Sequence, residues 1–323
     1  MVVAKLGRGE RAPDFVLPCG GTATRFYGCA GGSPTVLVFP PIDGEDDSSA
    51  LFEALPDLAT VVVARREPKM KLGARVFIDS GGAVSAAYGV TEGKGRVVVL
   101  DPSLRVIRTV ETEAPMGSAL SKLVRDAVSE LPRVEPRLLL AQAPVLLVPR
   151  VLEPSVCEQL MEVFWTRGNQ ETGVETSERQ MRTEAIRNEL KRRRDHTVTD
   201  ESLTNMLVRV VGRCVLPELQ RAFSYSATRF EGFKIVRYDS DTGGFFRAHR
   251  DNLSPATAHR RFALSLNLNE GYEGGELSFP EYGPVRYRPA AGEALLFSGS
   301  LLHEVTEVTS GERFALLSFL FGE

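Results

Sequence analysis

At 323 residues the chain is too long for one comfortable hydrophobic core and suits two domains. Its 43% hydrophobic and 25% charged residues, with a net charge of −3, are those of an ordinary globular protein. They argue against a dedicated nucleic-acid binder, whose domain is usually strongly basic. No apolar run approaches the roughly 20 residues needed to cross a bilayer, and the opening MVVAKLGRGERAPDF holds too short an apolar segment for a signal peptide. A cytoplasmic setting without membrane attachment is the expectation. Four cysteines, Cys19, Cys29, Cys157 and Cys214, include no CxxC pair, so neither a disulfide framework nor a zinc knuckle is indicated.

Taken in order, TVLVFP (35–40) has a buried-strand pattern and DDSSALFEALPDL (46–58) a helical one. ATVVVARR (59–66) and RVFID (75–79) read as strands, and GGAVSAAYGV (81–90) as a short helix. RVVVLDPSLRVIRTVE (96–111) predicts two strands around the turn Asp101-Pro102-Ser103, and PMGSALSKLVRDAVSEL (115–131) an amphipathic helix. Strands alternating with helices, then a hairpin and a closing helix, predict an α/β unit of thioredoxin type over residues 1–133. PRVEPRLLLAQAP (132–144) carries three prolines and no clear period, which makes 134–144 the expected linker.

The first stretch resembles the peroxiredoxin family through Gly9-Glu10-Arg11-Ala12-Pro13-Asp14-Phe15 with Leu17, then TVLVFP, AAYGV and VVVLDPSLRV, over about residues 7–131. In that family the strand matching TVLVFP runs into a helix start that carries the peroxide-reducing cysteine, whose thiol pKa the helix N-terminus lowers. Here PIDGEDDSSALFE holds no cysteine, and Asp46 and Asp47 would oppose a thiolate. Peroxidase chemistry by that route is not expected. Cys19 and Cys29 read either as a pair across their loop or, more simply, as two small half-buried residues. The unit is read as a structural, dimerising or substrate-presenting module.

Beyond the linker, a strand and then an amphipathic helix starting near Glu153-Pro154-Ser155 are expected in VLLVPRVLEPSVCEQLMEVFWTRG (145–168). A second helix is predicted over SERQMRTEAIRNEL (177–190), its C-terminus capped by the basic run Lys191-Arg192-Arg193-Arg194 before Asp195-His196. A nucleic-acid or acidic-peptide contact is the lesser reading of that run. DESLTNMLVRVVGRCVLPELQRAF (200–223) predicts one long helix after an N-cap at Asp200. From Phe230 onward eight short strand patterns follow, divided by Gly-rich turns, which indicates a jelly roll or related double sheet.

Within this half, His249 and Asp251 stand two apart near a strand end, so alternation sends both to one face. His303 on a later strand is the natural third ligand. Two His and one carboxylate with open positions are the arrangement of non-haem Fe(II) oxygenases. Arg313 follows His303 by ten residues, and its guanidinium suits a bidentate grip on the far carboxylate of 2-oxoglutarate. Tyr238 reads equally as a core residue or as a hydroxyl donor beside that carboxylate. Asn267 and Asn269 alternate with Leu and place a polar row on one strand. Arg250 is expected at the rim, and His259 toward solvent or substrate. Trp165, Phe245 and Phe246 are read as core.

These residues, with Val236-Arg237-Tyr238, Gly243-Gly244, RRFALSLNLN, Glu273-Gly274-Gly275-Glu276, Phe279-Pro280, Pro289, Gly292, His303-Glu304 and Gly311-Glu312-Arg313, resemble the Fe(II)- and 2-oxoglutarate-dependent oxygenases, in their prolyl 4-hydroxylase-like branch. The motifs occur in order over about residues 145–323. The resemblance implies a double-stranded β-helix (jelly roll) with supporting helices, Fe(II) held by His249, Asp251 and His303, and 2-oxoglutarate held by Arg313 with Tyr238 and Asn267. It implies O2 as oxidant, succinate and CO2 as products, and room for ascorbate as a reductant. Three departures weaken prolyl specificity: Arg313 where animal collagen prolyl hydroxylases have Lys, Asn267 where Tyr is frequent, and no Ser two residues after Arg313 as in other branches. The expected partner is a protein or peptide, or a small-molecule substrate; a homodimer is left open. A different class, a redoxin-type scaffold whose barrel only binds metal, is the alternative.

Overall fold

The structure, a computed structural model, describes residues 6–41, 55, 58–68, 73–91, 93–112, 118–132, 136, 138, 141–178 and 181–322. The chain divides into two compact units, Met1–Pro136 and Arg137–Glu323. The expected linker 134–144 straddles that division, and part of it lies outside the described residues, as does the helix expected over 46–58.

The first unit is one sheet whose central strands are buried on both faces. Its strands are β1 (Val16–Cys19), β2 (Thr22–Arg25), β3 (Thr35–Phe39), β4 (Ala59–Ala64), β5 (Arg75–Ile78), β6 (Gly95–Leu100) and β7 (Val106–Thr112), in the order β2-β1-β5-β4-β3-β6-β7. β3, β4 and β5 run parallel, while β6 and β7 add antiparallel, as a thioredoxin-type unit requires. Side-chain alternation splits the strands between two cores. Leu37, Phe39, Val61, Val63, Val98 and Leu100 meet Tyr88 after the short helix Ala83–Ala87. Val36, Val38, Val62, Val97 and Val99 meet Leu120, Val124 and Ala127 of the helix Ser118–Ser129. The predicted turn forms: the Asp101 carboxylate accepts from the Ser103 and Arg105 amides. The β1–β2 hairpin was not anticipated, although Gly20-Gly21, both at positive φ, is a two-residue hairpin signal. Cys19 and Cys29 are free and partly buried against the first core, the blander of their two readings.

The second unit is built on two sheets. The larger has the order β8 (Leu146–Val148), β21 (Ala294–Ser298), β17 (Phe262–Asn267), β24 (Glu312–Phe321), β15 (Lys234–Asp239), β13 (Arg194–Thr197), β9 (Gln170–Glu171), with β14 (Arg229–Phe230) also on β24. The smaller runs β12 (Lys191–Arg192), β16 (Phe245–His249), β22 (His303–Val305), β19 (Leu277–Ser278), β20 (Arg286–Tyr287). A pair of β18 (Glu273–Gly274) and β23 (Val308–Ser310) stands beside them. Alternation again divides the larger sheet. Ile235, Leu264, Leu266, Leu296, Phe314, Leu316 and Leu320 face the helices, whereas Val236, Tyr238, Ala263, Leu295, Phe297 and Ala315 share a core with Leu277, Phe279, Tyr287 and Val305 of the smaller sheet. Arg313 has the parity of Ala315, so its side chain belongs to the space between the sheets.

The bracing helices are Pro154–Thr166, Glu201–Cys214 and Leu216–Phe223. The first buries Cys157, Leu160, Val163 and Phe164; the second buries Leu203, Leu207, Val211 and Cys214 after Asp200 caps the Leu203 amide at 2.8 Å. The long helix expected over 200–223 is therefore two, broken at Val215 because Pro217 lacks the N–H a continuous helix needs. Trp165 is 52% exposed, not core. It lies one residue, about 100°, off the stripe that buries Phe164, and Arg237 covers its ring at 4.9 Å.

Among the described residues of 177–190 the expected helix is not formed. β10 (Val174–Glu178) and β11 (Met181–Ala185) form a hairpin there, with Glu175 opposite Glu184 and Thr176 opposite Thr183. Glu, Arg, Gln and Met favour helices, but the segment has no apolar stripe at 3.6 spacing to bury, and packing supplies most helix stability. The basic run after it is consequently no helix cap. It continues as β12 and β13, and alternation carries Lys191, Arg193 and Asp195 inward.

Candidate metal and co-substrate site

His249 ends β16 and His303 begins β22, and the two residues are partners across that antiparallel ladder. The register shift between Phe246 and His249 sets this pairing. Asp251 is not on the strand, as expected from its spacing, but in the turn just beyond it, where its amide donates to the Gly299 carbonyl at 2.9 Å. The nearest ligand atoms of the three residues lie within 4.8 Å of one another. His249 Nε2 is 3.6 Å from Asp251 Oδ1, and His303 Nε2 is 3.5 Å from Asp251 Oδ2.

The imidazoles are held from behind. His249 Nδ1 pairs with the Arg247 carbonyl at 2.8 Å, and His303 Nδ1 with the Leu301 carbonyl at 3.0 Å. In each ring Nδ1 then carries the proton and Nε2 presents its lone pair to the shared space, as metal-binding histidines require. The Phe246 ring lies on His249 with centroids 3.6 Å apart, so Phe246 is a wall of this site and not plain core. Phe297 packs on His303 at 4.6 Å.

Asp251 Oδ2 is buried without a hydrogen-bond donor, a costly arrangement unless a cation completes it. Burial pushes the Asp251 carboxyl up, but His303 and His249, with Arg260 behind, more than reverse this and hold it below the usual carboxylate range. Burial pushes His303 down, with His249 adding to it against the pull of Asp251, so its imidazole is neutral at neutral pH. An ionised carboxylate and a neutral imidazole are the states a divalent metal binds. These residues fit Fe(II).

A cavity of about 530 Å³ opens on the triad, and Tyr238, Ser265 and Arg313 line it. Arg313 is 2% exposed, sits opposite Tyr238 across the β15–β24 ladder, and donates to Ser265 Oγ at 3.4 Å. Among the described residues no acidic side chain pairs with it. Asn267 does not join this site. Its amide donates to the Asn269 and Pro289 carbonyls and its oxygen accepts from Tyr272, so every group is used inside the protein. Arg250 pairs with Glu281 at the rim, as expected, and His259 lies 3.3 Å from Glu231 beside Phe321.

Sequence reasoning missed Lys191, Arg193, Ser265 and Arg260, all of which line the cavity. Arg260 stacks on Phe319, holds Glu231 through two hydrogen bonds, and reaches the Asp251 carbonyl at 3.5 Å. Period-two spacing was a signal for Lys191 and Arg193. Ser265 was legible only once the β17–β24 register was known.

Residues 233–321 match the family model of the 2OG-Fe(II) oxygenase superfamily. A PKHD-type hydroxylase of Synechococcus sp. (strain CC9311) is 28% identical over 172 residues, 51% of this chain and 72% of that protein. A PKHD-type hydroxylase of Pseudomonas putida (strain KT2440) is 38% identical over 82 residues, 23% of this chain and 36% of that protein. Among solved structures, a Pseudomonas putida prolyl-4-hydroxylase aligns with a TM-score of 0.44 at 17% identity, over 56% of this chain and 94% of that one. A peroxidoxin of Mycobacterium tuberculosis aligns with a TM-score of 0.34 at 19% identity, over 39% of this chain and 99% of that one. The matched stretch runs from the strand bearing Tyr238 through both metal-ligand segments to Arg313, so what this chain shares with the 2OG-Fe(II) oxygenase superfamily is the part that carries the site.

Proposed function

We propose that the second unit is a double-stranded β-helix acting as an Fe(II)- and 2-oxoglutarate-dependent dioxygenase that hydroxylates a peptidyl, prolyl-like residue. The observation that carries the reading is one cavity holding both the His249–Asp251–His303 cluster and a buried guanidinium, Arg313, with no acidic partner among the described residues. Fe(II), when bound, supplies the oxidative chemistry: with O2 it couples decarboxylation of 2-oxoglutarate to succinate and CO2 with hydroxylation of a C–H bond.

The chain's own residues orient and enclose. Arg313 pairs with the distal carboxylate of 2-oxoglutarate, and the Tyr238 hydroxyl donates beside it. Phe246 and Phe297 pack on the two imidazoles and fix their planes. Arg260, clamped by Glu231, steadies the turn bearing Asp251. The cavity volume falls within the about 300–1,000 Å³ of small-molecule sites, room for a co-substrate and one residue-sized group.

Leu253 supports a peptide over a free metabolite. It is 76% exposed at the cavity wall, in the loop following Asp251, and offers an apolar rest for an extended chain. The first unit is read as a scaffold or presenting module, since no cysteine stands in 40–53, where its relatives' nucleophile would be. The test is succinate release from 2-oxoglutarate across peptide and free amino-acid panels. Release that needs Fe(II), is stimulated by a peptide, and stops in His249→Ala supports the proposal. Stimulation by free amino acids alone would replace the peptide with a metabolite.

A further inference from the structure

We infer that Arg193, clamped by Asp195, is a positioning residue that fixes the Tyr238 hydroxyl as a hydrogen-bond donor toward the distal carboxylate of 2-oxoglutarate. This rests on the function proposed above. The β13–β15 ladder pairs Arg194 with Arg237, so one step further along brings Arg193 opposite Tyr238. Tyr238 is in turn the partner of Arg313 on β24. The three side chains therefore form one row across neighbouring strands, and all three line the cavity. The guanidinium carbons of Arg193 and Arg313 stand 5.8 and 5.6 Å from the centre of the Tyr238 ring, which lies between them.

The direction of the hydrogen bond follows from the chemistry of its partners. Arg193 Nη1 lies 3.2 Å from the Tyr238 hydroxyl. A guanidinium has five N–H donors and no acceptor, so the phenol oxygen must accept. The hydroxyl proton is then left for another acceptor, and among the described residues Tyr238 makes no second hydrogen bond. An anionic oxygen seated against Arg313 supplies that acceptor.

Asp195 keeps the arrangement from turning over. It takes Arg193 Nε at 2.6 Å and Nη2 at 2.7 Å, which leaves Nη1 as the group that faces Tyr238. Asp195 is 3% exposed and is itself approached by the Lys191 charge and the Thr172 hydroxyl. Arg193 and Asp195 cancel in net charge. The pair orients a neighbour and leaves to Arg313 the charge that the co-substrate needs.

The test is a double-mutant cycle on 2-oxoglutarate affinity, read by anaerobic titration of the Fe(II)-loaded full chain. Tyr238→Phe removes a hydrogen bond to a charged group and should weaken binding about tenfold to a hundredfold. Arg193→Met should weaken it about three- to tenfold in the Tyr238 protein and have no further effect in the Tyr238→Phe protein, because it acts through that hydroxyl. Arg193→Lys, which can still donate, should recover part of the loss. With 2-oxopentanoate, which lacks the distal carboxylate, Arg193→Met should change nothing. If Arg193→Met folds poorly, Asp195→Asn probes the same clamp and should show the same dependence on Tyr238.

Equal weakening by Arg193→Met in both tyrosine backgrounds, or with both oxo acids, overturns the inference and marks Arg193 as merely structural. So does an unchanged affinity in the Tyr238 protein. If Tyr238→Phe itself binds 2-oxoglutarate as tightly as wild type, the place given to Tyr238 in the proposed function falls, and this inference falls with it.

Discussion

Replacing Arg313 by Met asks whether a buried cation awaits a ligand or serves the fold. Arg313 is 2% exposed, its hydrogen bond to Ser265 is a long 3.4 Å, and no acidic group among the described residues neutralises it. If the distal carboxylate of 2-oxoglutarate is its partner, truncation leaves that carboxylate buried against Tyr238 and Ser265 alone. Removing one member of a buried, hydrogen-bonded charge pair costs about 2–4 kcal/mol, toward the lower part of the measured range where water can enter the space left behind. At about 1.4 kcal/mol per factor of ten, 2-oxoglutarate binding should weaken roughly 30- to 700-fold. The ligand-free protein should behave oppositely, because a buried charge without a partner contributes nothing to stability that Met does not replace. Thermal unfolding without and with saturating 2-oxoglutarate, on Fe(II)-loaded protein, reads both quantities through the ligand-induced rise in Tm. Expected are an unchanged or higher Tm for the ligand-free variant and a much smaller rise on adding 2-oxoglutarate. A several-degree loss in the ligand-free variant with an undiminished ligand shift would refute the reasoning and make Arg313 a structural residue.

Further outcomes follow from groups elsewhere in the chain. Asp195 is held below the ordinary carboxylate range because Arg193, aided by Lys191 and Thr172, outweighs the upward push of burial. A depressed folded-state pKa stabilises above the unfolded value of about 3.9, and that stability is lost as pH falls below it. Asp195→Asn should therefore lower Tm at pH 7, with the gap to wild type narrowing below about pH 4. Cys157 is 2% exposed and its thiol is pushed up to about 11, chiefly by burial. A disulfide reagent at pH 8 should leave it unmodified until denaturant is added, whereas prompt labelling of native protein would contradict its packing under the larger sheet. Gly292→Ala should destabilise by roughly 1–3 kcal/mol in denaturant unfolding. Its φ is +78°, and an added Cβ would stand 2.4 Å from the Leu152 carbonyl oxygen, which is backbone and cannot swing aside.

Much of this architecture was legible because alternation is a strong signal. TVLVF, GRVVVL and ERFALLSFLF each carry the period-two or fully apolar pattern of a strand buried on one or both faces, and each became one. His249, Asp251, His303 and Arg313 were recognisable by chemistry and spacing, and the fold brings all four to one cavity. What escaped depended on partners remote in sequence. Residues 177–190 were read as a helix from local propensity, although the segment offers no apolar stripe for a helix to bury, and β10 and β11 pair there instead. That error displaced Lys191, Arg193 and Asp195 to a solvated helix end, when two-residue spacing turns all three inward and brings Lys191 and Arg193 to the cavity. Asn267 failed for a different reason. Parity alone could not show that Tyr272 and two carbonyls already occupy its amide.

The central claim is that two imidazoles, one carboxylate and one guanidinium act as a unit on a metal and an oxo acid. Equilibrium dialysis of the full chain against Mn(II), as an oxygen-inert substitute for Fe(II), together with 2-oxoglutarate tests it most directly. One of each should bind per chain, 2-oxoglutarate should be retained only when metal is present, and both should be lost in His303→Ala. Retention of 2-oxoglutarate without metal, or metal binding that survives His303→Ala unchanged, would contradict it.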